Sequence, residues 1–193
     1  MPAISSLSDY AALEIMNATL GGEFTSRINM NLREEKGYTY GAHSSFAYRR
    51  AAGPFLVRAG VRTDATAPSV TEIFKEIARI TAEPVSGDEL SMSRDALSLS
   101  LPGRFETTYQ TVNSFTNVFI YDLGTDYYSR LPGLLREVTT EKVEAVAKKY
   151  LVPGKMVVVA VGDRARIEPE LTKLGLGAIE VRDAVGSVKA SDK

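Results

Sequence analysis

The feature that most limits the fold is Met156-Val157-Val158-Val159-Ala160-Val161, an unbroken apolar run set between Pro153-Gly154 and Gly162-Asp163. Periodicity cannot assign so short a run, but its length, its β-branched residues and its flanking turn residues favour a strand over a helix. A strand without polar alternation reads as a central one, covered on both faces. The chain is therefore expected to build a sheet with helices laid over it.

Helical spacing begins at Leu13, Met16 and Leu20, after Ser8-Asp9 as a cap, and stops at Gly21-Gly22. Phe24, Ile28 and Leu32, at i, i+4 and i+8, predict a second short helix capped by Thr25 or Ser26 and ending just beyond Arg33, with Gly37 as the stop. Tyr38 to Arg49, the turn residues Ala51-Ala52-Gly53-Pro54, and Phe55 to Arg62 read as an antiparallel hairpin with Phe55, Val57, Ala59 and Val61 on one face. Val70, Ile73, Phe74, Ile77 and Ile80 mark an amphipathic helix with Pro68 near its start. Ser86 and Glu89 form a capping box that opens another, which Leu101-Pro102-Gly103 interrupts. Two or three helical segments follow, the clearest opened by Thr139 or Thr140 and carrying Val143, Val146, Ala147 and Tyr150 on one stripe. A last helix near Ile167 to Leu174 precedes a short strand, Ala178 to Val181. This order of elements is that of an α+β domain, a mostly antiparallel sheet with helices packed on one face.

A chain of 193 residues, 44% of them hydrophobic, can bury one substantial core, so residues 1–183 read as a single domain and 184–193 as a polar tail, frayed from Gly186 onward. A net charge of -1 provides no field to gather nucleic acid or an anionic membrane, and neither is expected as a partner. No apolar run approaches the ~20 residues that span a bilayer. Met1-Pro2-Ala3-Ile4-Ser5-Ser6 lacks the basic and apolar parts of a signal peptide.

The chemistry open to the chain is narrow. Zero cysteines exclude disulfides, thiolate nucleophiles and cysteine metal sites. A catalytic zinc needs about three protein ligands, usually His with carboxylates. This chain has one histidine, His43, which alternates with its neighbours as a surface or hydrogen-bonded strand residue. No Gly-x-Ser-x-Gly elbow is present for Ser–His catalysis. Glu34 and Glu35 are adjacent, so they point to different sides of a helix and form a solvated face rather than an acid/base pair. Asp88 and Glu89 are explained by their place in the first turn of a helix. Gly21-Gly22, lacking any phosphate-loop context, reads as helix termination. Arg33 and Tyr40 remain: one ends a helix and the other enters a strand, with Gly37 turning the chain between them. A fork of guanidinium donors and a phenol O–H at such a junction could grip a peptide carbonyl or a developing oxyanion, or could be an ordinary exposed Arg and a packed Tyr.

At these residues the sequence resembles a known family. Leu20-Gly21-Gly22-Glu23-Phe24-Thr25-Ser26-Arg27 and Asn31-Leu32-Arg33-Glu34-Glu35-Lys36-Gly37-Tyr38-Thr39-Tyr40-Gly41 are similar to the C-terminal domain of the insulinase, pitrilysin and mitochondrial-processing-peptidase family of zinc metallopeptidases. Leu101-Pro102-Gly103-Arg104-Phe105, Val138-Thr139, Ala147-Lys148-Lys149-Tyr150-Leu151 and Val161-Gly162-Asp163 extend the likeness over nearly the whole chain. The resemblance implies one half of a clam-shell chamber in which a zinc-bearing N-terminal-type domain faces this one. It implies that Arg33 and Tyr40 bind the backbone of a peptide substrate and stabilise the oxyanion of its hydrolysis.

Two departures qualify this. The His-x-x-Glu-His zinc motif is absent, and so is the strand that usually precedes the first helix. The expectation is a domain of a longer subunit, inactive alone, with zinc on a missing domain or a partner subunit. A bacterial periplasmic or cytoplasmic peptidase is implied by the resemblance. The alternatives are a catalytically inactive structural or assembly subunit of the same fold, and a peptide-binding module that sequesters without cutting.

Overall fold

A computed structural model describes residues 7–49 and 51–188. The expectations for Met1 to Ser6 and for the tail from 189 onward lie outside the described residues.

Helix α1, Leu7–Asn17, is apolar on most of its surface, with Ala11, Ala12, Leu13, Ile15 and Met16 buried, so it sits in the middle of the helical layer. It packs against α4 (Gly87–Leu99), α6 (Tyr127–Arg136) and α7 (Thr140–Tyr150). Asp9, expected as a cap, lies inside α1, which is already formed at Leu7. Its carboxylate instead accepts from Lys149 Nζ and Tyr150 Oη, both at 2.6 Å, and pins the start of α1 to the end of α7.

The helix then widens into a π-turn, Ala18–Gly22, that ends in extended backbone at Glu23. Gly21 and Gly22 do end the helix, but Gly21 has a second task. A Cβ there would lie 2.5 Å from Ser44 Oγ, so glycine lets the helix end touch the sheet. Ser44, fully buried, donates to Asn17 Oδ1 at 2.8 Å across that contact.

Strands β1 (Thr39–Phe46) and β2 (Phe55–Val61) form the expected antiparallel hairpin, paired from Phe46 against Phe55 to Thr39 against Val61. Ala42, Ser44 and Phe46 face inward beneath α1 and α2 (Arg27–Asn29), while His43 faces solvent. The cross-strand pair Phe46 and Phe55, 4.9 Å between ring centroids, closes the far end of the core. Helix α3 (Thr66–Ala82) buries Ile77 and Ile80, α4 opens with the Ser86/Glu89 capping box, and α7 buries Val143, Val146 and Ala147 beneath a Thr139 cap. Helices α5 (Thr108–Ile120) and α8 (Arg164–Lys173) complete the layer.

The α+β class and the antiparallel pairing hold, but the sheet is smaller than expected. It has two strands among the described residues, β1 beside β2. Met156–Val161 forms no strand and has no ladder partner among the described residues, and its valines are exposed rather than covered on both faces. The run has strand-forming residues, yet a ladder needs a second strand alongside, and none of the described residues provides one. Ala178 to Val181 is likewise unpaired. The tail expected to fray begins as a closed turn, with Arg182 bridged to Val188 and Asp183 Oδ1 accepting from the N–H groups of Val185 and Ser187.

Candidate functional site

Arg33 is delivered by a helix that changes its winding. Helix α2 runs on as a π-helix, Met30–Glu35, in which Lys36 N–H reaches back five residues to the Asn31 carbonyl at 3.0 Å. Ile28 and Leu32 are fully buried on its underside. Buried Asn31 donates to Glu72 at 2.9 Å and Glu76 at 3.0 Å, which locks the segment to α3. Such wide turns cost backbone geometry and recur at functional sites. Gly37, at φ +61°, reverses the chain, and Tyr38 N–H closes the junction on the Leu32 carbonyl at 2.8 Å.

The Arg33 guanidinium lies 4.4 Å above the centre of the Phe24 ring, with Nε 3.3 Å from Glu34 Oε1. Its side chain is 35% exposed, so the cation is held on an aromatic surface but open to solvent. Phe24 was expected on the buried stripe of this helix, and it is 60% exposed. The backbone leaves the π-turn in extended form at Glu23, so Phe24 stands ahead of the helix rather than within it.

Tyr40 is delivered by an irregularity in the strand. Pairing runs from Thr39 with Val61 to Ala42 with Ala59, so Tyr40 and Gly41 together face the single residue Gly60, which is a β-bulge. The Thr39 hydroxyl stitches it, lying 2.7 Å from the Gly60 carbonyl oxygen and 2.8 Å from that of Gly41, and accepting from Gly41 N–H at 3.0 Å. The result is a tyrosine that is 100% exposed at a strand start.

One buried amide connects the two presentations. Asn29 Nδ2 donates to the Phe24 carbonyl at 2.6 Å, and its Oδ1 accepts from Ala42 N–H at 3.0 Å. The loop that carries the Arg33 stack and the strand that carries Tyr40 are thus tied to one side chain. Among the described residues no hydrogen bond or ion pair joins Arg33 to Tyr40 directly, and Arg33 is engaged by Glu34 and the Phe24 ring. Sequence reasoning missed Asn29, whose only signal is a polar residue next to Ile28 on the face that packs inward.

A second clamp supports the same segment. Buried Arg27 grips Glu89 in a fork, Nε to Oε1 at 2.6 Å and Nη2 to Oε2 at 2.8 Å. The Arg27 fork holds the Glu89 carboxyl down at about 2, so Glu89 does more than cap α4. Thr19 and Ser93 hydroxyls meet at 2.8 Å beside it. His43, Glu34 and Glu35 are exposed, as expected. Among the described residues no three His, Cys, Asp or Glu side chains are grouped so as to hold a metal ion, and the residues present do not fit a zinc site.

The family model for the peptidase M16 inactive domain matches residues 1–97, which carry every residue of this arrangement. The chain belongs to that family. It is the C-terminal-type M16 domain that the motifs implied. The M16 inactive domain from Pseudomonas fluorescens is 26% identical, with a TM-score of 0.67 over 75% of this chain and 34% of that one. A protease from Helicobacter pylori is 17% identical, with a TM-score of 0.69 over 78% of this chain and 36% of that one. The inactive peptidase domain of a candidate zinc protease from Bordetella parapertussis, 13% identical, gives 0.62 over 79% and 82%. At such identities the last two show the fold alone. This M16 chain spans about a third of the length of the first two structures. No curated protein matches it in sequence.

Proposed function

We propose that this chain is the non-zinc-binding domain of an M16 zinc metalloendopeptidase, and that Arg33 and Tyr40 hold the backbone of a peptide substrate. Their donors stabilise the carbonyl oxygen as it gains negative charge. The zinc sits on another domain or a partner subunit, which faces this one across a clam-shell chamber. Residues 1–183 act as the domain and 184–193 as its tail, in a bacterial periplasm or cytoplasm. The observation that carries this reading is the pair of backbone irregularities, a π-helix at Arg33 and a bulge at Tyr40, bound together through Asn29. An ordinary surface Arg and Tyr require neither.

The test is cleavage of an unstructured peptide, with zinc content measured alongside, by the assembly of this domain with its zinc-bearing counterpart. Zinc-dependent cleavage that needs this domain is the expected result. An assembly that binds peptide and never cuts it would point to sequestration. One that does neither would point to a structural subunit.

A further inference from the structure

A hollow of about 330 Å³ lies between the segment that continues α1, Ala18 to Arg27, and the stretch of α4 from Glu89 to Ala96. That is the small end of the ~300–1,000 Å³ range of ligand pockets, enough for one residue of a peptide. Its two walls are tied to each other, by the Arg27 fork on Glu89 and by the contact of the Thr19 and Ser93 hydroxyls. Three carboxylates, Glu23, Glu89 and Asp95, stand here against one guanidinium, Arg27, so the hollow carries a net charge of -2. Glu89 is spent on Arg27, whereas Glu23 and Asp95 make no ion pair among the described residues. Ser26 is 3% exposed and the Arg27 side chain 7%, yet each keeps a polar atom without a hydrogen-bond partner, Ser26 Oγ and Arg27 Nη1.

These three features select one ligand chemistry. A buried donor left unpaired is costly, so Ser26 and Arg27 call for a carbonyl oxygen. Two carboxylates without a counter-ion call for a cation. Met92, 57% exposed, with Ala18 and Ala96 supplies apolar surface of the kind that an alkyl stem covers. We infer that the hollow binds a lysine or arginine residue of a peptide, its backbone carbonyl taken by Ser26 and Arg27 and its side-chain cation by Glu23 and Asp95. The inference rests on the proposed function for one point, that the ligand is a peptide. The segment Glu23 to Ser26 serves both sites: it offers Phe24 to the Arg33 guanidinium and it forms part of one wall of the hollow, so a single peptide can engage the two.

The experiment is an NMR titration of the 193-residue chain with N-acetyl-arginine amide and with its neutral counterpart N-acetyl-norleucine amide, followed at the Ser26 amide and the Met92 methyl. Saturable shifts at both positions are expected with the arginine probe, and binding of the norleucine probe should be ~5-fold weaker or more. Glu23→Gln and Asp95→Asn should each weaken the arginine probe ~2- to 5-fold, by a factor that shrinks in high salt. Thermal unfolding should stay unchanged in both variants, because neither carboxylate is in an ion pair. The absence of a saturable shift overturns the inference. Equal binding of the two probes, or binding indifferent to both substitutions, overturns it as well. The readout needs no turnover and so separates the two readings: selective binding of the arginine probe by a chain whose assembly never cuts peptide supports the hollow and overturns the peptidase reading.

Discussion

Replacing Asn29 by alanine removes one side chain and loosens two elements. The Ala42 N–H is buried and has the Asn29 amide as its acceptor, so truncation leaves a buried donor unpaired, at about 1–3 kcal/mol. The Phe24 carbonyl, only partly buried, loses a 2.6 Å bond and recovers some solvation, which adds about 0.5–1.5 kcal/mol. Asn29→Ala should therefore destabilise the chain by about 2–4 kcal/mol, read as a shift in the urea midpoint at constant slope. For a chain of this size the melting temperature should fall by about 5–12 °C. Asn29→Asp separates the two halves: it keeps the acceptor for Ala42 N–H and turns the donor toward Phe24 into a repulsion. Its stability loss should be at least as large, because a carboxylate is buried against the Phe24 carbonyl, while local amide exchange at Ala42, which keeps its acceptor, should accelerate less than in the alanine variant. A loss below about 0.5 kcal/mol for Asn29→Ala, with exchange at Ala42 unchanged, would refute the bracket.

Further outcomes follow from the same contacts. Because the Glu89 carboxyl is held at about 2 in the folded chain, below its ordinary value near 4.5, its stabilisation is complete above about pH 5 and is lost as pH falls toward 2. The shift corresponds to ~3 kcal/mol, reduced to about 1–2 kcal/mol because Glu89 is partly open to water. Glu89→Gln should flatten stability against pH across that window in urea titrations. Gly21→Ala should cost about 1–3 kcal/mol, since the new Cβ meets both the side chain and the backbone nitrogen of Ser44, and a urea midpoint will show it. Phe24→Ala should leave the fold intact within about 1 kcal/mol but weaken peptide binding by the assembly, because Arg33 loses its ring platform.

Much of this was legible where local rules and burial agree. The Ser86/Glu89 box, a cap at Thr139 or Thr140 that the structure places at Thr139, the hairpin and the α7 stripe were read from spacing alone, because each depends on neighbours within four residues or on a single buried face. Phe24 was misread because helical periodicity says nothing about where the backbone exits the preceding turn. The Met156–Val161 run was misread as a covered central strand, since composition encodes the need for a partner and not its presence. Arg33 and Tyr40 were named by resemblance. The devices that display them, a π-turn and a bulge, are long-range outcomes of Asn31 meeting α3 and of Gly60 facing two residues.

The most direct measurement is steady-state peptide cleavage by the zinc-bearing assembly carrying Tyr40→Phe in this domain. Loss of one donor to a developing oxyanion lowers kcat by ~100- to 1000-fold. The expected result is a fall in kcat of that size with zinc content and fold unchanged. A kcat within a few-fold of the parent would contradict the role assigned to Tyr40 and, with it, the functional reading of the Arg33 and Tyr40 pair.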